Sequence, residues 1–427
     1  MEILILSQHF APEPGTRLRD LTRHLVKRGH TVSVVTTYPS YPLGKVYQGY
    51  RLGLYSKYFE HGAPITRVFA MPYRGLSIVK RMLSYFSFAL AALLLALLPG
   101  RRPRVAYVYH PPLTTGLAAA IYNLVRRVPF VYDVQDLWPD AIVAAGMLQE
   151  KSVLYRGIRL MEDFVYRRAS HVNVLSDGMR RNLMGKGVPA DKISVISNWG
   201  DPDIYHPTDA GEIRDRLGLR DRFVVMSAGN MGLTHGLETV IEAAAILQDD
   251  PRISVVFVGS GAAKPDLIAR TQKLGLRNVS FHDQVSEDEA AGYINAADVM
   301  LIHLKPVAGG EFSVPSRIFS YMLCGKPIIA ASEGSTAELI RSVGCGWTCA
   351  PSDPHALAGT IRKAAVEHPA RIEKGELGLA AAHGEYSRAH FLERIERGIV
   401  VVGRGGFRPQ KRSTKTPIAG RKQGRAS

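Results

Sequence analysis

The sequence predicts an α/β protein built from two doubly wound, Rossmann-like domains that face a central cleft. Three observations carry that expectation. Strand-like and helix-like segments alternate along nearly the whole chain. The strand candidates are short apolar runs without polar alternation, as in a parallel sheet covered on both faces. A length of 427 residues exceeds what one ordinary core organises, so the βα units divide between two domains.

The first domain is expected over residues 1–198. Its strand candidates are 3–7, 31–36, 105–109, 130–134, 172–175 and 193–196, with helical periodicity over 17–27 and 154–167. The turn formers in Asn198-Trp199-Gly200-Asp201-Pro202-Asp203 mark a linker. The second domain is expected over 199–384. Its strands are predicted at 223–227, 254–258, 279–281, 299–302, 327–330 and 346–348. Its helices are predicted at 237–247, 265–273, 287–296, 316–323 and 336–341. A closing helix at 387–398, within a segment 385–402, is expected to return to the first domain. In such folds the ligand crevice lies at the carboxyl ends of the strands.

Hydrophobic residues make up 46% and aromatics 8% of the chain, as a globular protein needs. The three cysteines, Cys324, Cys345 and Cys349, have no spacing that suggests a disulfide framework or a zinc site. Met1-Glu2-Ile3-Leu4-Ile5-Leu6 lacks a basic flank and a cleavage site. It reads as a first strand rather than a signal peptide, so a cytoplasmic location is expected. The formal charge is +16. Part of the surplus sits in 403–427, which holds Lys and Arg but no Asp or Glu, and whose composition cannot bury a core. The surplus reads as solubilising or as attraction to an anionic membrane surface. No interleaving of aromatic and basic residues calls for nucleic acid.

One segment stands apart. Residues 82–98 are almost wholly apolar, preceded by Lys80 and Arg81 and followed by Arg101, Arg102 and Arg104. A helix apolar all round has no water-compatible side. The favoured reading is a helix dipping into the cytoplasmic leaflet between basic anchors. An ordinary core helix and a true span are the alternatives, the length being at the lower limit for spanning.

Several turns carry candidate chemistry. The first βα turn, Gln8-His9-Phe10-Ala11-Pro12-Glu13-Pro14-Gly15-Thr16-Arg17, lets a ligand approach the backbone. Gly29 and His30 end the first helix and start the next strand, a structural signal. Asp136, in Asp133-Val134-Gln135-Asp136-Leu137-Trp138-Pro139-Asp140, follows a strand, where a carboxylate faces the ligand crevice, and is the first candidate for contacting a ligand hydroxyl. A helix-capping role for Asp136 or Asp140 is the alternative. His110, at another strand end, is a second candidate. In the second domain, Ala228-Gly229-Asn230-Met231-Gly232-Leu233-Thr234-His235-Gly236 forms a glycine-rich turn whose amides suit a diphosphate. His235 adds a donor, and Gly259 opens a second such turn. Arg317 lies in the first turn of a helix after Pro315-Ser316, where a cation is misplaced unless it meets an anion.

Taken together, these motifs resemble the retaining GT-B glycosyltransferases of the "glycosyl transferases group one" class. They are similar to the branch that adds N-acetylated sugars in bacterial capsule and O-antigen assembly. The resemblance spans about residues 2–397 and rests on four pieces. These are the proline-rich first turn with Gly29-His30, Asp136-Leu137-Trp138-Pro139, Gly229-Asn230-Met231-Gly232 through Glu238, and Pro315-Ser316-Arg317 through Gly325-Lys326-Pro327. It implies a nucleotide diphosphate sugar, UDP-linked, held mainly by the C-terminal domain, an acceptor on the N-terminal domain, and no cofactor or required metal. By carry-over, donor contacts fall to Gly15, Gly229, Asn230, Gly232, His235, Gly259, Val285, Lys305, Arg317, Ser320 and Glu338. Arg317 stands where a Lys commonly pairs with the phosphates. Ser320 stands where a Glu usually grips the ribose, and Glu311 or another group is expected to compensate. Asp136 and His110 are the catalytic expectations. The apolar segment 82–98 and the basic surplus point to a polyprenyl-diphosphate-linked glycan as acceptor, worked on by an enzyme held peripherally at the inner leaflet. A sugar-nucleotide 2-epimerase, a non-catalytic nucleotide or glycolipid binder, and an NAD-dependent oxidoreductase remain as other readings.

Overall fold

A computed structural model describes residues 1–406, apart from 42, 74, 76, 99–101, 145–147 and 307–309. Arg101 and the basic tail from 407 onward lie outside the described residues.

The N-terminal sheet holds β1 (Glu2–Leu6), β2 (Thr31–Thr37), β3 (Tyr55–Glu60), β4 (Ala63–Val68), β5 (Val105–His110), β6 (Phe130–Val134), β7 (His171–Val174) and β8 (Ile193–Val195). Their spatial order is β3-β4-β2-β1-β5-β6-β7-β8. All neighbours are parallel except the β3–β4 hairpin at the edge. That hairpin was not foreseen. Tyr-Ser-Lys-Tyr-Phe-Glu in β3 alternates between exposed and half-buried and lacks the apolar run that revealed the inner strands.

The C-terminal sheet holds β9 (Phe223–Ala228), β10 (Ile253–Val258), β11 (Val279–His282), β12 (Val299–His303), β13 (Ile328–Ala331) and β14 (Gly346–Cys349). Its order is β11-β10-β9-β12-β13-β14, with every pair parallel. Both sheets switch direction about a central strand, so each opens a crevice at its carboxyl edge. The fold is GT-B: two Rossmann-like α/β domains.

The helix Arg388–Gly403 packs on the N-terminal sheet. Phe391, Leu392, Ile395, Ile399 and Val402 share a core with Ile3, Ile5, Leu21 and Val131. Glu396 fixes it there, meeting His24 Nε2 at 2.8 Å and His30 Nε2 at 3.0 Å. His30, read from sequence as the start of a strand, is one of the two histidines that hold this closing helix.

The apolar helix runs over Ile78–Leu97. Apolar residues lie on both of its sides, and one side is covered by protein. Phe88 and Ala92 are buried in the N-terminal core against Val68, Leu113 and Ala119. Leu83, Phe86, Leu90, Leu94 and Leu98 are exposed on the other side. Residues Val79–Leu97 are long and apolar enough to cross a membrane by length and composition alone, but 22% of that window is already buried in protein.

Candidate active site

A cleft of about 930 Å³ opens between the carboxyl edges of the two sheets. Its N-terminal wall is the first βα turn, the segment around Ser40 and Tyr41, and one face of the apolar helix at Arg81, Ser84 and Tyr85. Glu287, Ser316, Arg317 and Ser320 form the C-terminal wall, and the linker from Asn198 to Asp201 joins the two.

Beneath the first turn, Arg17 grips Asp133 with two hydrogen bonds, Nε to Oδ2 at 2.8 Å and Nη2 to Oδ1 at 3.1 Å. Asp133 is fully buried and Arg17 is 6% exposed. A buried charge is tolerated only when paired and hydrogen-bonded. Burial pulls the guanidinium pKa down, but the charge and hydrogen bonds of Asp133, together with Tyr107 and Tyr109, raise it overall. Nη1 of Arg17 also donates to the Ser197 carbonyl at 2.9 Å, and the guanidinium lies 4.9 Å from the Trp199 ring centre. The indole N–H of Trp199 donates to Asp20 at 3.1 Å. The linker is therefore anchored to the N-terminal domain at the cleft floor. Gly200 touches the other domain: a Cβ there would lie 3.1 Å from the Phe319 carbonyl and 2.6 Å from Leu323 Cδ1.

Gly15 lies in the cleft wall with φ of 114° and open space where a Cβ would stand. Asp136 is exposed beside Tyr85 and Tyr109, whose hydroxyls feel its charge. Surrounding protein restricts its hydration and raises the carboxyl pKa. Asp140 instead binds Lys186 at 2.8 Å.

The structure does not bring His110 to the cleft. The ring is 1% exposed, packed edge-on to Tyr132 and Trp138 with centroids 5.8 Å away in each case. Burial pushes its pKa down to about 3, so it is a neutral core histidine. The neighbouring Tyr109 lines the cleft, whereas the His110 side chain packs into the core.

In the second domain the two glycine turns meet backbone to backbone. A Cβ on Gly259 would lie 2.0 Å from the Gly229 carbonyl oxygen, and one on Gly261 would lie 2.4 Å from that of Met231. Only glycine allows this approach. Arg317 reaches from the cleft wall to this turn, its Nη1 donating to the Asn230 carbonyl at 3.4 Å. The same carbonyl lies 2.8 Å from His235 Nδ1, and Nδ1 is 3.2 Å from the Gly232 nitrogen. Burial, with Arg317 adding to it, lowers the His235 pKa to about 4, so its ring is neutral at neutral pH. The Lys305 ammonium pairs with Glu238 at 2.5 Å. Val285 is half-buried against the core under this wall.

Ser320 lines the cleft beside Tyr205, with which it shares a hydrogen bond that offsets part of the rise burial gives the phenol. Glu311, the expected substitute carboxylate, is exposed in a short turn, Gly310–Phe312. The carboxylate that lines the cleft near Ser320 is Glu287, overlooked because it reads as a helix N-terminal acid beside the capping Ser286. Glu338 is not among the cleft residues. It is exposed and pairs with Arg181 of the N-terminal domain at 3.3 Å, so it works as an interdomain tie.

Sequence reasoning also missed His9, Glu13 and Arg17. Their signal was present in the quoted first turn, but the glycine drew attention from the ionisable side chains around it.

Comparison with known proteins agrees with this fold. A model described as "Glycosyl transferase 4-like domain" matches residues 13–199. A model described as "Glycosyl transferases group 1" matches residues 209–374. The chain is 28% identical over 379 residues to WcaI of Escherichia coli K12, named for glycosyl transfer in colanic acid biosynthesis, covering 85% of this chain and 92% of that protein. It is 26% identical over 232 residues to the Pseudomonas aeruginosa protein WbjE, named as a glycosyltransferase, covering 53% of this chain and 58% of that one. Among solved structures, Anabaena HepE in complex with UDP superposes with a TM-score of 0.71 at 19% identity, covering 94% of this chain and 100% of that one. A sucrose-phosphate synthase from Thermosynechococcus elongatus gives 0.72 at 18% identity, over 92% of this chain and 97% of the other.

Proposed function

This chain is a glycosyltransferase of the GT-B fold, and from that premise we propose that it moves an N-acetylated sugar from a UDP-linked donor to a polyprenyl-diphosphate-linked glycan. Transfer proceeds with retention, at the cytoplasmic leaflet, in building a cell-surface polysaccharide. One observation carries the acceptor assignment. The helix Ile78–Leu97 presents Arg81, Ser84 and Tyr85 to the cleft and Leu83, Phe86, Leu90 and Leu94 to solvent. A single rigid element thus links an apolar surface to the acceptor wall. A lipid-borne diphosphate at that wall would meet Arg81. The interest of WcaI in colanic acid assembly and the UDP held by HepE support the same reading. Being named transferases, the relatives weigh against the epimerase and binding-protein readings.

The donor diphosphate gathers negative charge as its bond to the sugar breaks. Arg317 and the amides around Gly232 would receive it, whereas neutral His235 donates its Nδ1 proton to the Asn230 carbonyl. Asp136 serves the sugar or the acceptor from the N-terminal side. Closure of the two domains excludes water and so limits hydrolysis.

The test is mass spectrometry of the purified protein with a panel of UDP- and GDP-sugars and a short polyprenyl-diphosphate-sugar acceptor. The expected result is an acceptor heavier by one N-acetylated sugar, with UDP released. Transfer only to soluble sugars, or only from GDP donors, would overturn the assignment.

A further inference from the structure

Two polar side chains in the N-terminal wall of the cleft are short of hydrogen bonds. Gln8 follows β1, whose neighbours in the sheet are β2 on one side and β5 on the other. That change of direction is the switch point at which open α/β sheets hold their ligands. The Gln8 carbonyl accepts the Thr36 hydroxyl at 3.2 Å and the Thr37 hydroxyl at 2.9 Å, so its backbone is fixed. Its side chain reaches Ser84 of the apolar helix, Nε2 donating to Oγ over a long 3.4 Å. Both residues line the cleft, yet Gln8 is only 5% and Ser84 only 6% exposed. Among the described residues, Oε1 of Gln8 has no hydrogen-bond partner, and the Ser84 hydroxyl meets only the Gln8 amide. Folds hold few such unmet buried groups, and a ligand that supplies the missing bonds removes their cost.

A carbohydrate hydroxyl fills both gaps at once. Its O–H donates to Oε1 of Gln8, and its oxygen accepts the Ser84 O–H. We propose that the Gln8 carboxamide and the Ser84 hydroxyl, side by side at the carboxyl end of β1, form the subsite that reads one hydroxyl of the acceptor sugar ring. This rests on the reading of the N-terminal wall as the acceptor's and adds which residues select the sugar there. Arg81 stands three residues before Ser84 on the same helix and also lines the cleft. Side chains so spaced lie about 5–6 Å apart, close to the width of a pyranose ring. A diphosphate at Arg81 thus leaves the sugar it carries beside Gln8 and Ser84. The pair holds and orients that ring and takes no part in making or breaking bonds, so the subsite serves transfer with retention.

The full-length protein tests this in two arms with Gln8→Met, which keeps the length of the side chain and removes both polar atoms. The first arm uses the UDP-sugar that the unaltered protein turns over best, a short polyprenyl-diphosphate-linked sugar, and the monodeoxy analogues of that sugar. With the unaltered protein, one analogue is expected to lose about 10- to 100-fold in kcat/KM. Gln8→Met should lose a similar factor on the parent acceptor and treat parent and that analogue alike within about threefold, while its UDP affinity by calorimetry stays unchanged. The same discrimination by both proteins, or an equal loss of UDP affinity, would overturn the proposal. The second arm needs no substrate. An unmet carbonyl oxygen adds nothing to the unliganded fold, so Gln8→Met should melt at or above the temperature of the unaltered protein. A drop of more than about 4 °C would mean that the carboxamide serves the fold, and would sink the subsite. Failure of the unaltered protein to use any lipid-linked acceptor would fall on the acceptor assignment, and the melting comparison would still decide whether the pair is kept for a ligand.

Discussion

Arg17 and Asp133 lie 116 residues apart and form a two-pronged, buried ion pair under the cleft floor, from which Arg17 also holds the carbonyl of Ser197. Removing one partner leaves the other charge buried and alone. Arg17→Met is expected to destabilise the protein by about 3–5 kcal/mol. Arg17→Lys is expected to recover little, because one ammonium cannot match the fork. Urea unfolding followed by Trp199 fluorescence reads both. A loss under about 1 kcal/mol for Arg17→Met would contradict the account.

Arg317 is the cation that joins the C-terminal wall to the glycine turn. If it meets the donor diphosphate, Arg317→Met should weaken UDP binding about 10- to 100-fold, the worth of one or two charge-assisted hydrogen bonds. Calorimetric titration with UDP measures this. Unchanged affinity would move the phosphates elsewhere.

The contact between the glycine turns predicts a graded response. Gly218 has φ of 67° and open space around a would-be Cβ. Gly218→Ala should therefore cost only the left-handed backbone term, about 1–2 kcal/mol. Gly259→Ala adds a collision with the Gly229 carbonyl and should cost clearly more, with UDP binding lost alongside. Equal melting shifts for the two variants would refute the close approach.

Buried neutral histidines make the fold acid-sensitive. His110 has its pKa depressed to about 3 and His235 to about 4, in both cases chiefly by burial. Below about pH 6.5 the unfolded chain binds protons that the folded chain refuses. Stability is therefore complete above that pH and falls as pH drops through 6.5 toward 3–4. For His110 alone the loss is on the order of 3 kcal/mol by pH 4. The urea midpoint should fall between pH 7 and 4, and His110→Gln should flatten that slope. An unchanged slope would mean the ring is protonated in the fold.

The apolar helix predicts vesicle binding. Leu90 and Leu94 are 59% and 57% exposed, so replacing both by Glu should leave folding intact. Co-sedimentation with anionic phosphatidylglycerol vesicles should be lost in the double variant, while turnover of a water-soluble acceptor persists. Equal sedimentation of both proteins would remove the membrane from the reading.

The alternation of apolar strands and periodic helices was legible because it is local. The strand Phe130–Val134 and the helix Arg17–Lys27 appear with the bounds expected, since pleat and helical turn impose their periods on neighbouring residues. The glycine turns were legible for a related reason: positive φ and close approach need glycine wherever they occur. The edge hairpin was not, because half of its residues face water and carry no apolar pattern.

The sequence by itself determined the two sheets, the cleft at their carboxyl edges and the residue types able to meet a phosphate there. Tertiary structure alone decided which side chains face that cleft. His110 turned into the core, Glu338 went to Arg181 across the domains, and Glu13 was drawn under Ser40 and Tyr41 to hold His9. The reason is physical. Backbone conformation follows from residues near in sequence, whereas burial, charge pairing and proton position follow from groups brought together across tens or hundreds of residues.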